Sequence, residues 1–178
     1  MEKNSPLGRQ VRPILARGEY VPDELMCPIL ADWLHHQPAG WVLDGFPRSL
    51  PQALFLDAWL ADHDAVLSGA VALEVPVPEL LARVRNRVEC PVCRWTGQRG
   101  QLDSGRCPVC GAEAGTREDD SEENFRSRHA EFEQYTLPVI EYYRGHGILL
   151  ACDATAPQAE VAARILSFFP QAGATNPE

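Results

Sequence analysis

Three short apolar runs punctuate the sequence, and each is entered through a glycine: residues 41–43 after Gly40, residues 70–73 after Gly69, and residues 148–151 after Gly147. Short apolar runs bounded by turn residues predict buried strands. Helical periodicity fills the intervals. Leu7, Val11, Ile14 and Leu15 share one stripe that stops at Gly18, a residue suited to ending a helix. Leu25, Ile29 and Trp33 mark a second helix opened by Pro22, and Pro28 is expected to kink or delay it. A third helix begins at Pro51 and carries Leu54 and Leu60, and a fourth carries Leu80, Leu81, Val84 and Val88. Asp120 and Glu123 have capping-box spacing ahead of a helix with Phe125, Phe132 and Val139 on its inner stripe and a break near Pro138. Pro157 opens the last helix, with Val161, Ile165 and Phe168 inward, and the tail from Pro170 is polar. Strands alternating with helices predict an α/β fold with a parallel sheet sandwiched by helices.

Composition narrows the class. At 178 residues and 45% hydrophobic content, the chain suits one core domain with an insert. A net charge of -9 argues against general nucleic-acid binding, which normally shows as a basic surplus. No apolar run approaches the ~18 residues of a membrane span and no apolar leader opens the chain, so a cytoplasmic protein is expected. Fifteen of the sixteen Lys and Arg residues are Arg, with Lys3 the exception.

The cysteines supply the first specific chemistry. Cys90-Pro-Val-Cys93 and Cys107-Pro-Val-Cys110 are two C-x-x-C knuckles separated by thirteen residues, a spacing that lets a short ribbon bring four thiolates to one tetrahedral Zn²⁺. Four sulfurs leave no coordination position for water or substrate, so the metal is expected to be structural. A redox dithiol pair is the competing reading, and the doubled motif disfavours it.

Around this knot lie residues suited to phosphate. Asp44-Gly45-Phe46-Pro47-Arg48 stands where a predicted strand runs out, the place where ligands gather in open parallel sheets. Asp44 suits a water around Mg²⁺, Gly45 a close backbone approach, Arg48 a two-pronged phosphate grip and Gln52 an adenine edge. Arg83, Arg87, Arg117 and Arg128 flank the cysteine segment, and phosphoryl transfer asks a protein mainly to position substrates and neutralise the moving charge. Taken singly, each of these groups is more often a solvated surface charge.

With these motifs in place, the sequence resembles the adenylate kinase family over nearly its whole length. The resemblance implies a P-loop-NTPase-like α/β core (residues 1–87 and 118–178, with an AMP-binding segment near 1–37) and a zinc-ribbon lid at 88–117. It implies that the backbone around Glu19, Tyr20 and Val21 holds the AMP base, with Gly45, Phe46 and Pro47 beside the ligand, Arg48 on the AMP phosphate, Gln52 on adenine, and Asp44 near Mg²⁺. Arg83, Arg87, Arg117 and Arg128 would act at the transferred phosphate, with Asp119 and Asp120 at lid closure. Thr96 and Gly97 would touch ATP in the lid, although Gly97 stands where the family has an aromatic, and the backbone near Ala156 would meet the ATP base. Cys90, Cys93, Cys107 and Cys110 match the zinc-bearing subtype, and Tyr142 and Tyr143 match the closing segment.

One family element has no counterpart in these residues. No G-x-x-x-x-G-K-[ST] occurs in the sequence, and Lys3 follows no glycine, so the first strand and P-loop of the family are expected to be missing. The nest of amides that holds ATP phosphates would then be missing too, and the strands ending near Leu43 and Leu73 would flank a gap. The expected activity is ATP plus AMP to 2 ADP, impaired in this chain alone. The alternatives are a non-catalytic nucleotide binder or a zinc-ribbon interaction protein. The family's members are monomers, and self-association or a complementing P-loop chain are the further arrangements left open.

Overall fold

The computed structural model describes residues 6–16, 21–37, 40–117 and 120–169. In chain order the elements are α1 (Pro6–Ala16), α2 (Asp23–His35), α3 (Leu50–Asp62), β1 (Ala70–Glu74), α4 (Val77–Asn86), β2 (Arg87–Glu89) and β3 (Thr96–Gln98). They continue with α5 (Glu122–Glu131), α6 (Leu137–Gly145), β4 (Leu149–Asp153) and α7 (Gln158–Phe168). The chain divides into two compact units, Met1–Ser68 with Tyr135–Gly147, and Gly69–Gln134 with Ile148–Glu178. No helix among the described residues is long and apolar enough to cross a membrane.

The first unit is built of helices. Leu30 and Leu34 of α2 interlock with Leu56 and Leu60 of α3, a spacing of four on each helix that puts both pairs on facing stripes. Trp41, Leu43, Phe46, Phe55, Trp59, Ala65 and Leu67 close around that cluster. Leu54 and Trp33, predicted to face inward, are exposed, because Ala53, Leu56 and Leu60 on α3 and Ile29, Leu30 and Leu34 on α2 set the buried stripes. Pro28 neither delays nor interrupts α2, which runs from Asp23 to His35. On α1, Val11 is buried as expected.

Residues 41–43 are not a sheet strand. Trp41 and Leu43 pack against the leucine cluster while Val42 between them is 89% exposed. The alternation is strand-like, but no ladder partner exists among the described residues, so this segment is held by two side chains instead of by backbone pairing.

The second unit carries the parallel sheet. β1 and β4 pair in register from Ala70↔Leu149 to Glu74↔Asp153, as residues 70–73 and 148–151 predict. α7 packs on β4, and Gly69 makes room for it: a Cβ there would sit 2.8 Å from Phe168 and 2.9 Å from Phe169. α4 leads into β2, which pairs antiparallel with β3 from Arg87↔Gln98 to Glu89↔Thr96 and bridges onward to Gly115. Val88, assigned by periodicity to the helix, lies in β2 and is fully buried in the ribbon.

Two further expectations are corrected here. Ser121, not Asp120, caps α5, its hydroxyl accepting from the Asn124 N–H at 3.0 Å. Nor does the chain break at Pro138. A π-helical turn, Phe132–Thr136, joins α5 to α6, and Pro138 occupies the first turn of α6 where its missing N–H costs nothing. The wider π turn shifts the phase of the stripe, which leaves Phe132 exposed although Val139 is buried. The tail from Pro170 lies outside the described residues.

Candidate functional site

In the first unit, the loop ahead of α3 folds back on itself. Gly45 has φ +72°, and a Cβ there would meet an Arg48 guanidinium nitrogen at 2.7 Å. Arg48 Nε donates to the Gly45 carbonyl at 2.7 Å, and the positive φ of the turn is what favours glycine there. Phe46–Pro47 is a cis peptide, and Phe46 anchors the loop on the leucine cluster. Asp44 is exposed beside the turn.

Ser49 opens α3 as its N-cap, its hydroxyl accepting from the Gln52 N–H at 3.3 Å. Pro51 sits in the helix's first turn. One turn on from Arg48, Gln52 is 8% exposed and fully engaged on one side: Oε1 accepts from the Arg48 N–H at 2.7 Å and Nε2 donates to Asp23 Oδ1 at 2.5 Å. The second Asp23 oxygen accepts from Ser49 Oγ at 3.1 Å. Asp23 thus ties the first turn of α2 to the first turn of α3. Sequence reading missed it, because an acid at the start of a helix looks like routine macrodipole compensation. Val21 is half-buried just before α2, whereas Glu19 and Tyr20 lie outside the described residues.

In the second unit, the predicted arginines have specific partners. Arg83 donates to Glu79 Oε1 at 3.1 Å and to the Ala154 carbonyl at 2.9 Å, which brings α4 to the turn following β4. In that turn, Asp153 Oδ1 accepts from the Thr155 N–H at 2.8 Å and its hydroxyl at 2.7 Å, bonds that hold the carboxyl below its usual range, and half-buried Ala156 follows. Arg87 makes a two-pronged pair with Asp120, whose side chain is 1% exposed. Arg117 lies 3.4 Å from Glu89, which also holds Arg94 at 3.0 Å. Arg128 is exposed on α5, and Asp119 lies outside the described residues.

Thr96 is exposed on β3. At Gly97 an added Cβ would fall 2.4 Å from the Trp95 ring, so an aromatic does occupy this part of the ribbon, contributed from two residues earlier.

The two knuckles are near copies of each other. Arg94 N–H returns to the Cys90 carbonyl and Gly111 N–H to the Cys107 carbonyl, each at 2.9 Å, and both turns close through positive φ, 63° at Arg94 and 73° at Gly111. Cys90 N–H then bonds Trp95 O and Cys107 N–H bonds Ala112 O, each at 2.8 Å. The four sulfurs lie within 4.8 Å of one another, with Cys90–Cys110 and Cys93–Cys107 at 3.5 Å. Four thiolates about 2.3 Å from one tetrahedral ion stand about 3.8 Å apart, so this donor set can hold a metal ion.

The family profile for adenylate kinase matches residues 1–148. The adenylate kinase of Acidothermus cellulolyticus is 38% identical over 170 residues, 92% of this chain and 78% of its own. That of Thermotoga maritima is 36% identical over 173 residues (94% and 79%), and that of Lachnospira eligens 34% over 174 (95% and 82%). The chain belongs to the adenylate kinase family.

Proposed function

We propose that the first unit binds a nucleoside monophosphate, with Arg48 on its phosphate, Gln52 on an adenine base, and the backbone of Glu19, Tyr20 and Val21 beside that base. The observation that carries this reading is the arrangement at the start of α3. A guanidinium and a carboxamide four residues apart are both held there by short hydrogen bonds, on a loop that turns through a positive φ at Gly45. Gly45, Phe46 and Pro47 line the approach, and Asp44 orders a water of the Mg²⁺ that accompanies ATP.

In the second unit, Arg83, Arg87, Arg117 and Arg128 neutralise the transferred phosphoryl group. The ribbon 88–117 serves as the lid, Thr96 and Gly97 meet ATP, Asp119 and Asp120 secure closure, and the backbone at Ala156 meets the ATP base. The four cysteines hold a structural Zn²⁺. The reaction is ATP plus AMP to 2 ADP. The 178 residues contain no glycine-rich loop ending in Lys, so turnover by them alone is slow.

Calorimetry with AMP tests the binding half. Arg48→Ala and Gln52→Ala should each weaken AMP at least tenfold, and unchanged affinity in both rejects the assignment. A coupled assay with ATP and AMP tests the rate, since turnover in the ordinary kinase range of about 1–100 s⁻¹ contradicts the slow-transfer proposal.

A further inference from the structure

We propose that Asp23 fixes the polarity of the Gln52 carboxamide and so makes this site select a 6-amino purine over a 6-oxo purine. The inference rests on the assignment of Gln52 to the base and adds to it a specificity-determining residue. A carboxamide has two N–H donors and an oxygen with two lone pairs. Here one N–H is given to Asp23 Oδ1 at 2.5 Å and one lone pair takes the Arg48 N–H at 2.7 Å. One donor and one acceptor remain.

That remainder matches adenine on either edge. The 6-amino group gives an N–H to Oε1, while the adjacent ring nitrogen, N1 or N7, accepts from Nε2. Held in the pose that serves adenine, with its phosphate on Arg48, a 6-oxo purine fails on either edge. On one it sets O6 against Oε1 and its N1–H against the Nε2 donor, and on the other it again sets O6 against Oε1.

Turning the amide over would accommodate the 6-oxo base, and the protein opposes this twice. Oε1 would then face the Asp23 carboxylate, which when ionised only accepts, and Nε2 would face the Arg48 N–H. Asp23 cannot swing aside cheaply, because its other oxygen holds Ser49 Oγ, the cap of α3. Gln52 is buried, so water does not repair a mismatched amide.

The experiment is calorimetry of the full chain with AMP and with inosine monophosphate. Wild type should bind AMP at least about tenfold tighter. Asp23→Asn offers an N–H as readily as an oxygen, so its AMP-to-inosine-monophosphate ratio should fall by about tenfold. Ser49→Ala should lower thermal stability and leave the ratio within about twofold of wild type, which separates polarity from mere support.

Equal wild-type affinities for the two nucleotides overturn the inference even if Asp23→Asn does not fold. So does an Asp23→Asn variant whose ratio stays at the wild-type value. Gln52→Ala distinguishes the two levels: unchanged AMP affinity there removes Gln52 from the base, whereas a loss of affinity with an unmoved Asp23→Asn ratio removes only the role of Asp23.

Discussion

Replacing Asp120 by alanine tests a two-pronged ion pair of the second unit. Its carboxylate is 1% exposed and takes both prongs of Arg87, whose own side chain is 31% exposed. Removing one partner of a fully buried pair costs about 3–5 kcal/mol, chiefly because the other charge is stranded. Arg87 keeps a third of its surface in water and can resolvate, so the cost falls to about 2 kcal/mol, near the low end for a lost hydrogen bond to a charged group. For a chain of 178 residues this corresponds to a fall in Tm of about 4–8 °C. Asp120→Asn keeps one acceptor and should lose about half as much. A double-mutant cycle with Arg87→Ala, read by thermal and urea unfolding, should give a coupling of about 1–2 kcal/mol that persists in 1 M salt, because buried pairs are weakly screened. A coupling near zero, or an Asp120→Ala cost below about 0.5 kcal/mol, refutes the reasoning.

Chelation should unfold the ribbon while leaving the first unit helical: one metal equivalent is released per chain in a colorimetric assay, and Cys107→Ser does the same without a chelator. Tyr142 and Tyr143 should behave oppositely on losing their hydroxyls. Tyr142 donates to Asp57 at 2.6 Å, so Tyr142→Phe should cost about 1–2 kcal/mol, whereas the buried Tyr143 hydroxyl has no partner among the described residues, so Tyr143→Phe should be neutral or stabilising by up to about 1 kcal/mol in urea unfolding. The bond to Asp57 raises the Tyr142 pKa and burial raises that of Tyr143. An acid that holds its proton longer when folded stabilises the fold fully below its unfolded pKa, so stability should decline as pH rises beyond about 10, and the double Phe variant should flatten that decline.

The sequence was most legible where one residue type leaves few options. Two C-x-x-C knuckles have one compact tetrahedral solution, and the structure brings all four sulfurs together. The pair of strands at 70–73 and 148–151 was readable because each is a continuous apolar run, although in the two-stranded sheet only Ala72 and Cys152 are buried and Leu73 is 59% exposed. Residues 41–43 look the same in sequence, yet periodicity reports which side chains are buried and not whether a backbone ladder exists. Trp41 and Leu43 obtain their burial from a helix pair instead. The π turn at Phe132–Thr136 escaped notice because a single added residue per turn mimics an ordinary stripe over short spans. Asp23 was invisible for a different reason. Its partners, Ser49 and Gln52, lie 26 and 29 residues away, and nothing local distinguishes a bridging carboxylate from a solvated one.

The partners of the arginines also divide them by role within the proposed reaction. Arg83 and Arg117 meet carboxylates at 3.1 and 3.4 Å with both side chains more than a third exposed, contacts of a kind worth about 0–1 kcal/mol. A phosphoryl group can replace such an acceptor at little cost, so these two are suited to hand their charge to a ligand. Arg87 is held otherwise, because releasing it would strand a carboxylate that has almost no access to water. It is therefore expected to stay on Asp120 through the catalytic cycle and act from a fixed position. In titrations with inorganic phosphate, Arg117→Ala should weaken binding with little effect on Tm, Arg83→Ala should weaken binding with a small fall in Tm from the lost bond to the Ala154 carbonyl, and Arg87→Ala should lower both markedly. An Arg87→Ala variant that loses phosphate affinity at unchanged Tm would place Arg87 with the exchangeable pair.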